Sequence, residues 1–174
     1  MQVDEKDLLQ ILKQLKILLV DDNPVYQDSI KNVLLNFSDN ITISDNGIDA
    51  FEQYKSCKPD IIVTDDIEMP KMNGLELVKK IREDDDRTSI IILTSFLSED
   101  YLLSAANLDI QGYMQKALDI KKLKALLLKA AKKHANEQIV KIDIKDGLVY
   151  DKSAGTLITN NDVANELNKK EKAL

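Results

Sequence analysis

The sequence predicts an α/β fold in which a parallel β-sheet is covered by helices on both faces. Between residues 16 and 134, five short apolar runs alternate with five segments whose apolar residues recur at helical spacing. Strict alternation of this kind is typical of parallel strands joined by helices. Asparagine, proline, glycine and aspartate stand between the runs, where helix caps and turns need them.

The first half of this pattern contains three strands and two helices. Residues 16–20 form an apolar strand, and Asn23 with Pro24 supplies an N-cap and a first-turn proline. The helix that follows carries apolar residues at Tyr26, Ile30, Val33, Leu34 and Phe37. A short strand is predicted at 41–44, the turn at Asn46 leads into a helix with Ala50, Phe51 and Tyr54, and the third strand is predicted at 61–64.

The second half continues the same alternation. A helix is predicted at 74–82, a nearly purely apolar strand at 90–94, and a helix at 99–108 whose acidic first turn suits the helix dipole. A short strand follows at 112–115, and Asp119 caps a long helix with one leucine- and alanine-rich face.

Two segments fall outside this unit, so we divide the chain into residues 1–15, 16–136 and 137–174. The first segment is an amphipathic helix with five leucine or isoleucine residues. It either packs on the central domain or extends from it for dimerisation or partner docking. The last segment alternates like half-buried strands around a hairpin signal at Asp146 and Gly147, and then starts a helix at 167–174. About forty residues with so few apolar groups make a poor independent core.

Composition narrows the function classes. The formal net charge is -6, which does not resemble a basic nucleic-acid-binding surface. Cys57 is the single cysteine, so an internal disulfide is excluded, and His134 is expected to be a solvated residue near a helix end. The acidic N-terminus has no apolar signal region, and no stretch is long enough to span a bilayer. We therefore expect a cytoplasmic protein that does not contact membranes.

Charged and hydroxyl side chains stand at the ends of four predicted strands: Asp21 and Asp22, Asp65 and Asp66, Thr94, and Lys116. Ligands of open parallel sheets bind at this carboxyl edge. Two carboxylates about 4 Å apart repel by roughly 4 kcal/mol at an effective dielectric of 20, so either one takes up a proton or a divalent cation lies among them. An all-oxygen site of this kind suits Mg²⁺, and one aspartate can then form an aspartyl phosphate.

Four segments together resemble the receiver domain of two-component response regulators: ILLVDDNP at 17–24, DIEMPKMNG at 66–74, IIILTS at 90–95 and GYMQK at 112–116. The resemblance covers residues 16–134 and implies a flavodoxin-like, doubly wound five-stranded sheet of order 2-1-3-4-5. It also implies that Asp21 and Asp22 bind Mg²⁺, that an aspartate ending the third strand accepts the phosphoryl group, and that Thr94 and Lys116 hold the phosphoryl oxygens. Tyr113 resembles the aromatic switch.

The sequence departs from the family pattern at two places. Asp65 and Asp66 both qualify as the acceptor, because counting from the start of the third strand selects Asp65 and counting back from Pro70 selects Asp66. We expect Asp66, because the following turn must aim the Glu68 backbone carbonyl at the metal and an extra residue is more easily absorbed upstream as a bulge. Asp65 stays as the alternative acceptor and metal ligand. Ala117 stands where the family has a cis proline, and we expect a trans bond there.

The segment at 148–158 and the residues LNKKE at 167–171 resemble the opening antiparallel sheet and first helix of an OmpR/PhoB-type winged-helix effector. No recognition helix follows, so DNA would be reached only through a missing part of a longer protein. The expected function is a response regulator that a sensor histidine kinase phosphorylates, with homodimerisation and transcription regulation as the expected readout.

Two other functions remain open. A stand-alone receiver could dock a protein target as a signalling adaptor. A haloacid-dehalogenase-type enzyme is disfavoured because neither Asp65 nor Asp66 has an aspartate two residues later. We therefore expect at most slow self-dephosphorylation and no enzymatic activity.

Overall fold

The computed structural model describes residues 4–65, 69–95, 107–139, 141–145, 148–151, 156–159 and 164–166, with side chains up to residue 137. The chain divides into two compact units, residues 1–132 and 133–174. The boundary that the sequence places after residue 136 stays a prediction.

The first unit contains a five-stranded, fully parallel sheet in the order β2-β1-β3-β4-β5. Its strands are β1 (Lys16–Val20), β2 (Asn40–Ser44), β3 (Ile61–Asp65), β4 (Ser89–Thr94) and β5 (Gly112–Gln115). The predicted fold class and strand order are confirmed. The third strand runs one residue further than the sequence suggested, so that Asp65 is its last residue.

Five helices are described: α1 (Glu5–Gln14), α2 (Pro24–Leu34), α3 (Gly47–Cys57), α4 (Gly74–Arg82) and α5 (Ile120–Ile139). The cap residues form the expected hydrogen bonds, since Asn23 and Asn46 accept from backbone amides of α2 and α3 and Asp119 accepts from two amides of α5. Most of the helix predicted at 99–108 lies outside the described residues.

Successive residues of the central strands point to opposite faces of the sheet and build two apolar clusters. Ile17 and Leu19 belong to the cluster that contains residues of α1, α2 and α5, whereas Leu18 and Val20 belong to the cluster that contains residues of α3 and α4. Strands β3 and β4 are buried along their whole length. Burial on both faces explains why these strands are nearly continuous apolar runs.

Helix α1 packs as part of the first unit. Leu8, Leu12 and Leu15 are buried in the same cluster as the apolar face of α5. Glu5 forms an ion pair of 2.7 Å with Lys124 of α5, and Ser38 donates a hydrogen bond of 2.7 Å to the Leu15 carbonyl. These contacts correspond to the interpretation of α1 as a helix packed on the domain.

Polar groups at the amino edge of the sheet are closely paired. The Arg82 guanidinium donates to the carbonyl oxygens of four residues in the chain that leads into β4 and β5, at 2.7–3.1 Å: Asp85, Thr88, Leu108 and Asp109. The Asp85 carboxylate accepts from the hydroxyls of Tyr54 and Thr88 and from two backbone amides.

The second unit contains an antiparallel sheet with the strand order β6-β7-β8-β9. The strands are β6 (Lys141–Lys145), β7 (Leu148–Asp151), β8 (Thr156–Thr159) and β9 (Ala164–Glu166). Pairing of β6 with β7 agrees with the hairpin expected near residues 146–147. Residues 146–147 themselves, and the helix start expected at 167–174, lie outside the described part of the chain. Among the helices described, none has both the length and the apolarity that a membrane span requires.

Candidate phosphoacceptor site

The carboxyl edge of the sheet brings together side chains that are far apart in the sequence. Asp21 and Asp22 follow β1, Asp65 ends β3, Thr94 ends β4 and Lys116 follows β5. Asp21, Asp65, Thr94 and Lys116 are buried, whereas Asp22 is exposed. Each of these predicted site residues therefore lies at the edge where the sequence placed it.

Main-chain pairing sets the position of each functional residue. The Asp21 amide donates to the Ser44 carbonyl at 3.1 Å, and the Lys116 amide donates to the Thr94 carbonyl at 2.7 Å. These bonds extend the parallel pairing of neighbouring strands by one residue past the sheet. The Lys116–Ala117 bond is trans, as is every other peptide bond in the described ranges.

Lys116 forms ion pairs with two aspartates. Its Nζ lies 2.7 Å from Asp65 Oδ2 and 2.8 Å from Asp21 Oδ2. The contact to Asp65 is a directed hydrogen bond, but the contact to Asp21 lacks hydrogen-bond geometry and leaves the buried Oδ2 without a donor. Asp21 Oδ1 instead accepts from the Asn23 amide at 2.9 Å. Lys116 therefore reaches the site although alanine follows it.

Three carboxylates lie close together at this edge. Asp21, Asp22 and Asp65 each offer an oxygen, and these oxygens all lie within 4.8 Å of one another. Lys116 is the cation that pairs with two of them, so the four groups carry two excess negative charges when all are ionised. A second positive charge at this position would relieve that repulsion.

The electrostatics of Asp21 and Lys116 agree with this imbalance. Burial raises the pKa of the Asp21 carboxyl, an effect that the Lys116 contact and the Asn23 amide only partly offset. Burial alone would lower the pKa of Lys116, but the close contacts with Asp21 and Asp65 and the charges of these carboxylates raise it above its ordinary value. The ammonium therefore stays protonated, whereas the Asp21 carboxylate is disfavoured by its surroundings.

A glycine fixes the backbone directly after the site. A Cβ atom at Gly74 would overlap the carbonyl oxygen of Asp65, so only glycine permits the start of α4 to pass this closely. The turn before Gly74 includes Lys71, whose φ of 70° is left-handed, and its Met72 carbonyl accepts from the Gly47 amide at 3.1 Å. The Met-Pro-Lys-Met-Asn-Gly turn is thus held at the end of β3 and at the start of α3.

Two of the predicted site residues lie outside the described ranges. Asp66, the expected acceptor, and Glu68, the expected carbonyl ligand, are both in the segment 66–68. Their roles stay predictions. Tyr113 lies on β5, where it is half-buried and packs against the cluster that contains α3 and α4.

Sequence reasoning missed two neighbours of the site. Tyr26 was expected on the apolar face of α2, but its ring is 39% exposed and lies over Lys116 at 4.8 Å from Nζ. The Gln27 carboxamide donates to the Asp21 carbonyl and, at 2.7 Å, to Asp45 Oδ1. Their place in the sequence could have indicated both residues, because they lie in the first turn of a helix that begins directly after the acidic pair.

Comparisons with known proteins show the family of the chain. The family model of the response regulator receiver domain matches residues 17–128. Chemotaxis protein CheY of Treponema pallidum is 33% identical over 112 residues, which are 62% of this chain and 76% of that protein. The nitrate/nitrite response regulator protein NarL of Escherichia coli strain K12 is 30% identical over 159 residues, 90% of this chain and 71% of NarL. The chain spans about half, 47%, of the Bacillus subtilis transcriptional regulatory protein YdfI, with 38% identity.

Solved structures have the same fold. The N-terminal domain of an uncharacterized Wolinella succinogenes protein superposes with a TM-score of 0.65 at 26% identity, covering 71% of this chain and 100% of that domain. A LuxR-family DNA-binding response regulator from Staphylococcus aureus gives a TM-score of 0.63 at 27% identity, covering 68% of this chain and 99% of that one. By its sequence motifs, its strand order and the family model that spans most of it, the chain belongs to the response regulator receiver domain family.

Proposed function

We propose that the chain is a phosphorylation-activated response regulator whose acceptor is Asp65. One observation carries the proposal: the Asp65 carboxylate ends β3 and lies 2.7 Å from the Lys116 ammonium, within the acidic group that includes Asp21 and Asp22. A sensor histidine kinase is the proposed phosphoryl donor. The cytoplasm is the proposed location.

The preference for Asp65 over Asp66 follows from position. Asp65 is the last residue paired with β4, opposite Leu93, and its carbonyl is fixed against Gly74. A nucleophile on a fully paired strand end is held more rigidly than one on a loop. Asp65 also contacts Lys116, the cation available to a transferred phosphoryl group. We therefore place the acceptor at Asp65, which the strand count allowed, and treat Asp66 as the alternative.

The donor set fits Mg²⁺. Three carboxylates supply oxygens within 4.8 Å of one another, and the buried Asp21 Oδ2 has no hydrogen-bond donor. A buried anionic oxygen that lies 2.8 Å from the Lys116 ammonium, outside hydrogen-bond geometry, and beside two further carboxylates matches the preference of Mg²⁺ for a few carboxylates plus water and phosphate. Asp21, Asp22 and Asp65 would hold the ion, with the Glu68 carbonyl as a further expected ligand. Bound Mg²⁺ neutralises negative charge on the transferring phosphoryl group.

The chain's own residues account for the transfer step. A carboxylate oxygen of Asp65 attacks phosphorus while the P–N bond to the donor histidine breaks, and the departing imidazole keeps that electron pair and takes up a proton. Lys116 and the hydroxyl of Thr94 would then hold the phosphoryl oxygens. Hydrolysis of the aspartyl phosphate by water returns the starting state slowly, so the chain is proposed to act as a phosphoacceptor and not as an enzyme.

The proposed output is a population shift that phosphorylation biases. Lys116 gives up its two carboxylate partners for the phosphoryl group, and Tyr113, three residues earlier on β5, reports this change to the face formed by the helix predicted at 99–108, β5 and α5. Homodimerisation through that face is the proposed readout. The four-stranded antiparallel sheet of the second unit supports an OmpR/PhoB-type effector and transcription output, through DNA-binding parts that follow in a longer protein.

Two observations favour other outputs. The NarL match extends past residue 132, and a LuxR-family regulator is among the similar structures, which supports a LuxR/NarL-type effector. The CheY relatives support the adaptor that docks a protein target. The coding sequence after residue 174 distinguishes these possibilities. A winged-helix domain encoded there would contradict both the LuxR/NarL-type effector and the adaptor.

Phosphorylation of single-residue variants tests the acceptor. The chain is incubated with acetyl phosphate and Mg²⁺, and the phosphoryl adduct is measured by intact mass. We expect Asp65→Asn to lose the adduct completely and Asp66→Asn to keep it, because only the first removes the nucleophile. An adduct that survives Asp65→Asn but disappears in Asp66→Asn would move the acceptor to Asp66, and one that survives both would remove it from this strand end.

A further inference from the structure

Tyr26 lies over the Lys116 ammonium without belonging to the acidic site. The ring centroid is 4.8 Å from Nζ, which is within the range of a cation–π contact. The lysine is only 7% exposed, whereas the tyrosine is 39% exposed. Among the residues that the structure describes, two carboxylates and the face of one aromatic ring therefore surround the ammonium.

The start of α2 fixes both Tyr26 and Asp21. The Asn23 side chain accepts hydrogen bonds from the backbone amides of Val25 and Tyr26 at 3.0 and 3.3 Å. The backbone amide of Asn23 donates to Asp21 Oδ1 at 2.9 Å. Pro24 restricts the first residue of the helix. One capped turn thus fixes the backbone of Tyr26 next to the acidic pair, and from this position its ring reaches Lys116.

The lysine needs such a neighbour during phosphoryl transfer. Its two carboxylate partners are the proposed acceptor, Asp65, and a proposed metal ligand, Asp21, and both change their contacts when a phosphoryl group arrives. The tyrosine ring carries no charge and takes no part in these exchanges. It can hold the ammonium in place while the oxygen partners change.

We propose that Tyr26 is a positioning residue that keeps the Lys116 ammonium aimed at the phosphoryl group through its ring face. The inference rests on the proposed phosphoacceptor function. It concerns the aromatic face and not the phenol oxygen, so phenylalanine and tryptophan should replace tyrosine, whereas leucine, which keeps the apolar bulk without the π-system, should not.

The test compares phosphorylation rates of a substitution series in the full chain with acetyl phosphate and Mg²⁺. We expect Tyr26→Phe and Tyr26→Trp to stay within about twofold of wild type and Tyr26→Leu to be slower by roughly three- to tenfold. A Tyr26→Leu rate equal to the wild-type rate would overturn the inference, because bulk alone would then suffice.

A double-mutant comparison excludes a general packing effect. In a Lys116→Ala background the Leu substitution should cause no further slowing, because the lysine through which Tyr26 acts is absent. Slowing by the same factor in both backgrounds would also overturn the inference. A wild-type chain that takes up no phosphoryl group would instead sink the proposed function, and this inference with it.

The Trp variant gives an independent signal. The chain has no tryptophan, so Tyr26→Trp carries a single indole next to Lys116. We expect its fluorescence to change when Mg²⁺ and beryllofluoride are added together, and to stay constant when Asp65→Asn is combined with it. If the fluorescence of Tyr26→Trp does not change although this variant is phosphorylated, the ring does not respond to phosphorylation of the site, which would contradict the inference.

Discussion

The two edges of the parallel sheet differ in how fully their charged groups are paired. At the amino edge, Arg82 binds four carbonyl oxygens and Asp85 accepts from two hydroxyls and two amides. At the carboxyl edge, three carboxylates offer oxygens within 4.8 Å of one another, one ammonium pairs with two of them, and a buried oxygen of Asp21 has no partner in hydrogen-bond geometry. Strands β3 and β4, which run between these edges, are buried along their whole length.

The pKa values express the same difference. Although burial disfavours its charge, the hydrogen bonds of Thr88, Arg87 and Tyr54 lower the pKa of Asp85 to about 2. Burial, followed by the hydrogen bond to Asp85, raises the pKa of Tyr54 to about 12. The pKa of Asp21 is instead raised by burial. Charge at the amino edge is satisfied by its neighbours, whereas charge at the carboxyl edge is unbalanced, as the proposed binding of a cation and a phosphoryl group requires.

The largest change in the free energy of unfolding is expected for a substitution of Arg82. Its replacement by alanine leaves several carbonyl oxygens without their charged donor, and we expect a loss of about 3 kcal/mol in the free energy of unfolding. Urea denaturation measures it. The control is Lys79→Ala, an exposed lysine of the same helix, with an expected loss below about 1 kcal/mol. Equal losses in the two variants would mean that the guanidinium bonds do not stabilise the amino edge.

Asp85→Asn should cost about 1 kcal/mol at pH 7, after allowance for its partial exposure, because the amide nitrogen cannot accept from the Tyr54 and Thr88 hydroxyls. Since the folded-state pKa lies below the ordinary 3.8, the stabilisation is present above about pH 4 and is lost as the pH falls towards 2. The difference between wild type and variant should therefore shrink over that interval in urea titrations. Asp84→Asn, the exposed neighbour, serves as the control.

The smallest effect, and one of opposite sign, is expected at Asp21. Because its folded-state pKa is raised, the associated stability is present below the ordinary value of 3.8 and is lost as the pH rises through the folded-state pKa. Asp21→Asn should therefore stabilise the chain at pH 7 by up to about 1 kcal/mol in EDTA. Lys116 keeps Asp65 as its partner in this variant.

Added Mg²⁺ sharpens the same comparison. Wild type should gain stability with Mg²⁺ by mass action, and the Asp21→Asn variant should gain little. Asp28→Asn, an exposed carboxylate on α2, serves as the control and should respond as wild type does. If Asp21→Asn destabilises the chain at pH 7, the carboxyl edge is not electrostatically strained in the way proposed.

Local sequence patterns predicted most of the fold. The strand order came from the receiver resemblance, while the starts of α2, α3 and α5 followed from Asn23, Asn46 and Asp119, whose side chains cap them. Apolar runs located the strands because both sheet faces are buried. These features depend on neighbours in the sequence, and so they can be recognised there.

The site was only partly predictable for physical reasons. Asp21, Asp65 and Lys116 meet at one edge because strand ends meet, but the end of β3 depends on pairing with β4 and on the close approach of Gly74. If β3 ended one residue earlier or later, the strand end would select a different one of the two aspartates, Asp65 or Asp66. The contact of Tyr26 with Lys116 joins residues 90 positions apart, and helical spacing alone assigned that ring to the core.

The location of the phosphoryl group tests the central claim most directly. The wild-type chain is phosphorylated with acetyl phosphate and Mg²⁺, reduced with borohydride, which converts an aspartyl phosphate into homoserine, and mapped by peptide mass spectrometry. We expect homoserine at residue 65 and unchanged aspartate at residue 66. Homoserine at residue 66, or at neither residue, would contradict the assignment of the carboxyl edge around Asp65 as the phosphoacceptor site.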